Sequence, residues 1–364
     1  MKKLCALLLA MTLICGCFKD DSVSPEEDVY TGPEGTIEYA DSLRDDTLRV
    51  ASFNMAIGFD VGGLFLENLN DLSVVIKQTN LLLADYLESL PVERVKLMAQ
   101  GIAAKNLDVI GLQEVTTMIL EDTVHADFLT MLIQEIESLT GIEYKSFFKK
   151  LNEYTCPYLK ENDTLLLTFS EGNAVLVKPE YSISDSMAFA FSECVVDSFL
   201  GEEVESEREA IFLEVISPKG KTYQLFSTHI EVAILFFNVR LQNVQISDLL
   251  FIADSVYHSG AAQIIMGDMN IESDQERYTL FTEKNWVDAQ EELGLQATGT
   301  CCVENLRDPQ SPFSNGRIDY VFARGITKVV DGEVALSEWG VTAAGDTVFA
   351  ADHRMVVAEF ETQY

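Results

Sequence analysis

The sequence predicts an α/β fold, because short apolar runs typical of strands alternate with longer amphipathic stretches typical of helices. The run TLRVASFN (47–54) alternates apolar and polar residues and is rich in strand formers. The stretch 237–258 repeats apolar residues at helical spacing. No internal repeat or low-complexity block interrupts this order. We therefore expect an α/β sandwich built as one domain.

The remaining elements are predicted by the same two patterns. LDVIGLQEV (107–115) is an apolar run with a polar end, and Pro91 breaks a long stretch of helical spacing. The predicted strands are 47–54, 107–115, 172–178, 209–216, 222–229, 262–267, 318–323 and 354–360, and the predicted helices are 64–88, 92–105, 125–139 and 237–258.

The N-terminus is typical of a bacterial export signal. Lys2 and Lys3 precede an apolar run, residues 4–14, that is too short to span a bilayer. The following ICGC resembles the lipobox of bacterial lipoproteins, in which the signal is cut before a Cys that then carries lipid. We therefore expect lipidation of Cys17 and a lipid anchor in the bacterial cell envelope, at the outer membrane, in the periplasm or on the cell surface. A plain signal peptide with an incidental Cys is the alternative.

Three segments follow from this interpretation: a signal peptide (1–16), a lipidated Cys with an acidic tether (17–46) and one folded domain (47–364). The tether is acidic and poor in apolar residues, which is typical of a flexible linker. An ordered edge segment is the alternative for this stretch.

The charge of the chain bears on its partners. The formal net charge is −34. Nucleic acid is a polyanion whose binding depends on Lys and Arg, so duplex DNA is a disfavoured partner. The net charge does not exclude a local basic cleft. Strong adsorption to anionic lipid is disfavoured too. We expect a monomer.

Four cysteines follow Cys17. Oxidising compartments permit disulfides, and no Cys-x-x-Cys spacing indicates a zinc–thiolate site. Cys301 and Cys302 are adjacent, so we expect each to pair elsewhere, with Cys156 and Cys194 as the other thiols. The sequence leaves the pairing open.

Polar residues able to bind metal or move a proton recur at the ends of the predicted strands. Polar ends of this kind indicate one rim where such groups converge, because α/β sheets commonly place their sites along one edge. In chain order they are Asn54, Gln113 with Glu114, Thr228 with His229, Asp268 with Asn270, Asp319, and Asp352 with His353.

These residue types indicate one chemistry. Carboxylate and amide oxygens suit a hard cation such as Mg²⁺. Two histidines and a carboxylate suit proton transfer and stabilisation of negative charge. The chain has no Gly-rich phosphate loop and no G-x-S-x-G motif, so the sequence does not support a nucleoside-triphosphate enzyme or a serine hydrolase.

The order of these motifs resembles the endonuclease/exonuclease/phosphatase superfamily, which includes pancreatic-type deoxyribonucleases, inositol polyphosphate phosphatases and secreted sphingomyelinases. Asn54 is followed by LQEV, STH, GDMN, RIDYVFA and ADH, and the resemblance covers residues 47–361. It implies a four-layer α/β sandwich of two mixed β-sheets flanked by helices. It also implies cleavage of phosphoesters with a divalent metal, usually Mg²⁺, with Mn²⁺ as the alternative.

The resemblance implies metal-binding roles for three residues. Glu114 in LQEV matches the family's metal-binding Glu, and Asn54 matches the Asn that helps to hold that metal. Asp352 in ADH is expected to lie close to the metal. The structural alternative for Glu114 is a solvated Glu after a strand, and the alternative for Asn54 is a strand-end cap.

The resemblance also implies catalytic roles. Asp268 would position or deprotonate the attacking water, and Asn270 would bond the phosphoryl oxygens. His353 would pair with Asp319, as a general base or as a cation that stabilises the pentavalent transition state. His229 would bond a phosphoryl oxygen or protonate the leaving group. Taken alone, GDMN is also typical of a turn.

Two other residues are secondary candidates, and two histidines are excluded from the site. Asn173 resembles a family segment near the phosphate, with a turn as the alternative. Arg208 could contact phosphate, but its charged surroundings indicate a solvated loop. His125 and His258 lie on predicted helices, as structural or surface residues. The long runs 58–100 and 186–206 are expected to cover the site and tune the choice of substrate.

The sequence is compatible with three functions. The first is a metal-dependent phosphodiesterase or phosphatase acting on small or lipid-linked phosphoesters, somewhat like bacterial sphingomyelinases. The second is a secreted nuclease. The third is a surface binding protein that kept the fold without catalysis, which the intact set of ionisable residues disfavours.

Overall fold

Two mixed β-sheets lie face to face with helices on their outer sides, as the resemblance implied. The computed structural model describes residues 47–59, 69–161, 163–233 and 238–362. The predicted signal peptide, Cys17 and the acidic tether lie outside the described residues. Within the described ranges, none of the helices has the length and apolar character needed to cross a membrane.

The larger sheet has eight strands and is built around β1 (Thr47–Asn54). β1 pairs in parallel with β2 (Val109–Gln113) and antiparallel with β20 (Met355–Glu361). A long hairpin of β5 (Lys145–Lys160) and β6 (Asp163–Val177) attaches to β2. The other strands of this sheet are β3 (Thr117–Leu120), β4 (Thr123–Asp127) and β17 (Lys328–Ala335).

The smaller sheet has six strands and is centred on β11 (Thr222–His229) and β12 (Ala262–Asp268), which run parallel. Its outer strands all pair antiparallel with their neighbours. They are β7 (Ser182–Ala190), β10 (Glu209–Ile216), β13 (Val287–Asp288) and β16 (Asp319–Arg324). Three separate hairpins are β8 (Val195–Phe199) with β9 (Glu202–Ser206), β14 (Cys301–Val303) with β15 (Phe313–Gly316), and β18 (Trp339–Val341) with β19 (Thr347–Phe349).

Alternation along the strands explains the layers. On β12, Ile264 and Met266 pack in the core between the two sheets, whereas Ile265 packs under the outer helices. Successive strand residues point to opposite faces, so an unbroken apolar run is what a strand buried on both sides requires. The apolar run IIM was therefore a correct signal for a central strand.

The helices cover the outer faces of both sheets. Asp71 caps the first helix by accepting a hydrogen bond from Ser73 N, and Asp127 caps the third through Thr130 N. Pro91 is the first residue of the second helix, where its missing N–H costs nothing. The helices are α1 (Leu72–Glu88), α2 (Pro91–Ala103), α3 (Phe128–Thr140), α4 (Val239–Val256), α5 (Thr279–Thr282) and α6 (Ala289–Glu292), with a 3₁₀ turn at Glu276–Tyr278.

Two helix boundaries differ from the sequence prediction. Residues 125–127 are the end of β4 rather than the start of α3, because Asp127 ends the strand and caps the helix. His125 is therefore a strand residue. His258 lies beyond the end of α4, in the loop that leads to β12.

The cysteine expectation is also corrected. Cys301 and Cys302 are bonded to each other in a vicinal disulfide across a cis peptide bond, with their Cα atoms 3.1 Å apart. Neither of them pairs elsewhere, and Cys156 and Cys194 are free thiols.

Candidate active site

Every residue predicted to bind metal or take part in catalysis lies at one edge of the stacked sheets. Parallel strands end at the same edge, and antiparallel neighbours begin there. The register shows this: His229 at the end of β11 pairs with Asp268 at the end of β12, which pairs with Asp319 at the start of β16. The full set is Asn54, Glu114, His229, Asp268, Asn270, Asp319, Asp352 and His353.

Asn54 joins the two halves of the cluster. Its Nδ2 donates to Glu114 Oε1 at 2.9 Å and to Asp268 Oδ2 at 3.0 Å, across the gap between the sheets. Its Oδ1 accepts from the backbone N of Ala56 at 3.0 Å. In this orientation the amide nitrogen, not the oxygen, faces the carboxylates. Asn54 therefore holds a carboxylate that could bind metal, rather than offering its own oxygen.

Glu114 is half-buried and close to a second negative charge. Burial, and then the charge of Asp352, raise the pKa of Glu114 above its ordinary value. Glu114 Oε2 accepts from Ile57 N at 2.8 Å, and Glu114 itself has φ of 53°. A bulky residue in the left-handed region is strained, and such strain is common at functional sites.

The Glu114–Asp352 pair fits a hard divalent cation. Oδ1 of Asp352 is buried and has no hydrogen-bond partner within the described chain. Two carboxylates that repel each other, one with a buried oxygen that accepts no hydrogen bond, are what Mg²⁺ or Mn²⁺ would stabilise. Asp268, Asp319 and His353 also have ligand atoms within 4.8 Å of one another. We favour the first pair as the metal site, because Asp319 is already hydrogen-bonded to His353.

His353 is held as a cation by the carboxylates around it. Its Nδ1 lies 2.9 Å from Asp319 Oδ2, and its Nε2 lies 3.8 Å from Asp268 Oδ2. Burial acts to lower the pKa of His353, but Asp319, Asp268 and Asp352 outweigh it and raise the pKa well above the ordinary value. The Oγ1 of Thr300 accepts from the backbone N of Asp319 at 3.1 Å and so helps to position this pair.

His229 has the opposite character. Burial, followed by the positive charges of Arg208 and His353, lowers the pKa of His229 well below its ordinary value. Nδ2 of Asn270 lies 3.1 Å from His229 Nε2 and donates to the backbone O of Ile230 at 2.9 Å. Because an amide NH₂ can only donate, Nε2 of the neutral ring accepts, and Nδ1 carries the proton.

Asp268 sits between the two histidines. Its Oδ2 lies 3.5 Å from His229 Nε2, and its Oδ1 accepts from Asn270 N at 3.0 Å. Burial, and then the charge of Asp319, raise the pKa of Asp268 to about 7, against the opposing effects of His353 and Asn54. A carboxylate with a pKa near neutrality is suited to exchange a proton with water.

Arg208 corrects the expectation of a solvated loop. Its side chain is only 14% exposed, and Nε lies 3.2 Å from Glu231 Oε2. Burial opposes its charge, but Glu231 and Glu171 outweigh burial and raise the pKa of Arg208. The charge of Arg208 also acts on His229 and Glu114. Arg208 is thus a half-buried cation beside the candidate site.

Asn173, His125 and His258 are not part of the cluster. Asn173 lies within β6 rather than in a turn, and its Nδ2 donates to Glu209 O at 3.3 Å. His125 packs edge-on against Tyr86, and the exposed His258 lies 2.8 Å from a carboxylate oxygen of Glu214. Both histidines are structural or surface residues, as expected.

Arg94 holds two loops of the site in place, and this role was not predicted from the sequence. Its Nη2 donates to the carbonyls of Met55 at 2.6 Å and Ala56 at 2.7 Å, and its Nε donates to Ala350 O at 3.0 Å. These bonds tie the loop after Asn54 to the loop before Asp352. A signal was present, because Arg94 falls on the apolar face of a predicted helix, where an unpaired charge is costly.

The chain belongs to the Endonuclease/Exonuclease/phosphatase family, whose profile matches residues 78–353. Enzymes of this family hydrolyse phosphoesters and typically depend on a divalent metal, so the chain is by class a phosphoester hydrolase. No curated protein matches the sequence significantly.

Solved structures agree with the fold. An endonuclease/exonuclease/phosphatase family protein from Bacteroides thetaiotaomicron has 17% identity and a TM-score of 0.57, covering 87% of this chain and 98% of its own. A mannosyl-6-phosphatase from the same organism has 18% identity and a TM-score of 0.55, covering 86% and 99%. The human Nocturnin catalytic domain with bound sulfate anion has 17% identity and a TM-score of 0.53, covering 88% and 95%.

Proposed function

We propose that this protein is a Mg²⁺-dependent phosphodiesterase or phosphatase that acts on small or lipid-linked phosphoesters at the bacterial cell envelope. The observation that carries the proposal is the convergence of the predicted residues. Asn54, Glu114 and Asp268 come from three separate strand ends and are joined by two hydrogen bonds from one amide. A set of turns and caps would not require such a meeting.

Glu114 and Asp352 would hold the metal, Mg²⁺ or alternatively Mn²⁺, and Asn54 would orient Glu114. A divalent ion bound there would polarise the phosphoryl group and neutralise charge on its oxygens. The two carboxylates would lose their mutual repulsion on binding, which is the physical reason for the site to accept a cation.

The other side chains would act on water and on the phosphoryl group. Asp268, with a pKa of about 7, would position the attacking water and accept its proton. His353, held as a cation by Asp319, would stabilise negative charge in the transition state. The hydrogen bond between Asn270 and His229 Nε2 would open when substrate binds. Asn270 would then bind a phosphoryl oxygen, and His229 would bind a phosphoryl oxygen or serve the leaving group.

The substrate class is supported by charge and by the neighbours. The acidic chain disfavours a long polyanion. A mannosyl-6-phosphatase shares the fold, which supports phosphomonoesters of small molecules as candidates here. The runs 58–100 and 186–206 are longer in the sequence than this fold requires, and we propose that they set the choice of substrate.

Envelope attachment is a proposal from the sequence. The LICGC motif and the acidic stretch up to residue 46 support a lipid on Cys17 and a tether that lets the domain 47–364 work near a membrane surface. A monomer suffices for this arrangement, because every proposed site residue comes from one chain.

A substrate panel tests the proposed function. The panel comprises bis-nitrophenyl phosphate, nitrophenyl phosphate, mannose 6-phosphate, inositol phosphates, sphingomyelin and plasmid DNA, each with Mg²⁺ or with a chelator. We expect Mg²⁺-dependent turnover of a small or lipid-linked phosphoester and little cleavage of DNA. Preferred cleavage of DNA would establish the nuclease alternative, and no turnover of any substrate would favour the binding protein.

A further inference from the structure

Two cysteines lie beside the candidate catalytic histidine. Cys301 makes a backbone bridge to His353, and Cys302 Sγ lies 4.0 Å from His353 Nε2. The two sulfur atoms and a nitrogen of His353 lie within 4.8 Å of one another. None of these contacts is explained by the hydrolysis of a phosphoester. Cys302 is exposed, so the site can be reached from solvent.

We propose that reduction of the Cys301–Cys302 disulfide creates a binding site for a thiophilic divalent cation, with both thiolates and His353 Nε2 as ligands. Thiolate and imidazole ligands select Zn²⁺ and similar ions over Mg²⁺, which prefers oxygen. The candidate Mg²⁺ site at Glu114 and Asp352 has only oxygen ligands. The two sites therefore differ in the chemistry of their donors.

Asp319 favours this assignment. It holds His353 through Nδ1 at 2.9 Å, which leaves Nε2 on the side of the cysteines. Histidines that bind metal commonly donate their other ring N–H to a carboxylate, which fixes the ring and strengthens the ligand. The Asp319–His353 pair already has this arrangement, so the ring would not need to rotate to accept a metal.

The site forms in two chemical steps, reduction of the disulfide and then binding of the cation. A trialkylphosphine transfers two electrons to the disulfide, which takes up two protons and becomes two thiols. The phosphine takes an oxygen atom from water and becomes the phosphine oxide. The cation then replaces the thiol protons of Cys301 and Cys302, and any proton on His353 Nε2, which are released to solvent. The disulfide form has no thiolates and cannot bind the ion in this way.

Occupation of this site would remove His353 from the phosphoryl group. The protein would then be inhibited by Zn²⁺ only when its vicinal cysteines are reduced. This consequence rests on the proposed catalytic role of His353, whereas metal binding does not. Binding and inhibition are therefore measured separately.

Cobalt absorption tests binding directly, because Co²⁺ bound by thiolates absorbs strongly in the near ultraviolet. The full chain is treated with tris(2-carboxyethyl)phosphine, titrated with Co²⁺ and then with Zn²⁺, beside an untreated sample. We expect thiolate absorption only after reduction, with displacement by Zn²⁺. Asp319→Asn should weaken Co²⁺ affinity by about 10–100-fold, as is typical when the partner of a metal-bound His is changed.

Matched cysteine variants identify the thiolates that cause the cobalt absorption. Cys302→Ser changes an exposed position and keeps every other cysteine, so it should abolish the absorption of this site. Cys156→Ser and Cys194→Ser change the free thiols and should leave the signal intact. Equal absorption in Cys302→Ser and wild type, or none in reduced wild type, would overturn the proposal.

Inhibition is the second readout. Micromolar Zn²⁺ should slow hydrolysis by the reduced wild type and have much less effect on the untreated protein and on reduced Cys302→Ser. Equal sensitivity of all three would contradict the inhibitory role. If the protein hydrolyses nothing in the substrate panel, the proposed function fails, and the cobalt titration still decides the metal site.

Discussion

Nδ1 of His353 lies 2.9 Å from Oδ2 of Asp319, and both side chains are buried at the edge where the two sheets meet. The pair brings together the start of β16 and the residue just before β20, which belong to different sheets. The charge of Asp319 acts against burial and helps to raise the pKa of His353 well above its ordinary value. Removing the carboxylate should therefore change the histidine without removing it.

Asp319→Asn should lower the pKa of His353. Burial favours the neutral ring, and Asp319 is the largest of the carboxylate effects that oppose it. The ring proton resonances of His353, followed by NMR across pH, should titrate at a lower pH in the variant than in wild type. The exposed Asp122→Asn is the control and should leave the titration unchanged. An unchanged pKa in Asp319→Asn would contradict the assigned pairing.

Glu114→Gln should weaken Mg²⁺ binding and reduce turnover. The substitution keeps the shape of the side chain and replaces a charged oxygen ligand by an amide. Calorimetric titration with Mg²⁺ should show a clear loss of affinity, whereas the exposed Glu292→Gln should bind as wild type does. Wild-type affinity in Glu114→Gln would mean that the metal lies elsewhere.

Arg94→Met should destabilise the fold as well as the site. Arg94 donates to the carbonyls of Met55, Ala56 and Ala350 in the interior. Each buried carbonyl left without a partner costs about 1–3 kcal/mol. Urea denaturation should show a large loss in the free energy of unfolding. Arg240→Met, at a side chain that is 78% exposed, should stay within about 0.5 kcal/mol of wild type. Similar losses in both variants would refute the supporting role of Arg94.

Cys17→Ser should release the protein from the membrane fraction, because the lipid requires that sulfur. The measurement is fractionation of cells followed by detergent extraction, with Cys194→Ser as a control that should remain with membranes. Retention of Cys17→Ser in the membrane fraction would show that the lipobox interpretation is wrong.

Much of the site could be predicted because its residues end strands. The run IIMGD indicates both a strand buried on two faces and a polar group at its end, and β12 has that form. The motif order then implied partners such as Glu114 and His353, which local pattern alone cannot join. Their contacts depend on the stacking of two sheets, and pairing between sheets has no periodicity in the sequence.

Other features lacked a usable signal. Most positions of β5 are exposed or half-buried, so few of them need to be apolar and no clear strand pattern marks this segment of the sequence. Arg208 sits among acidic residues that resemble a solvated loop, yet Glu231, far along the chain, pairs with it in the interior. The bond between Cys301 and Cys302 depends on local backbone geometry that sequence does not specify.

Asp268 and His353 should act on one transition state. We expect His353→Ala and Asp268→Ala each to reduce turnover by about 10²–10⁴-fold, as positioned acid–base groups typically do. The double variant should lose much less than the product of the two, since residues that act together are not additive. Fully multiplicative losses would indicate that the two side chains act independently.

The hydrolysis rate of Asp268→Ala in saturating Mg²⁺, measured together with its thermal melting, tests the central claim most directly. The claim is that Asp268, at the end of β12, takes part in catalysis and is not simply a turn residue. We expect Asp268→Ala to hydrolyse substrate at least about 10²-fold more slowly than wild type and to melt at a temperature close to that of wild type. Asp274→Ala, an exposed change in the same segment, should match wild type in both. A near wild-type rate in Asp268→Ala, or a rate lost only because the protein melts, would contradict the account.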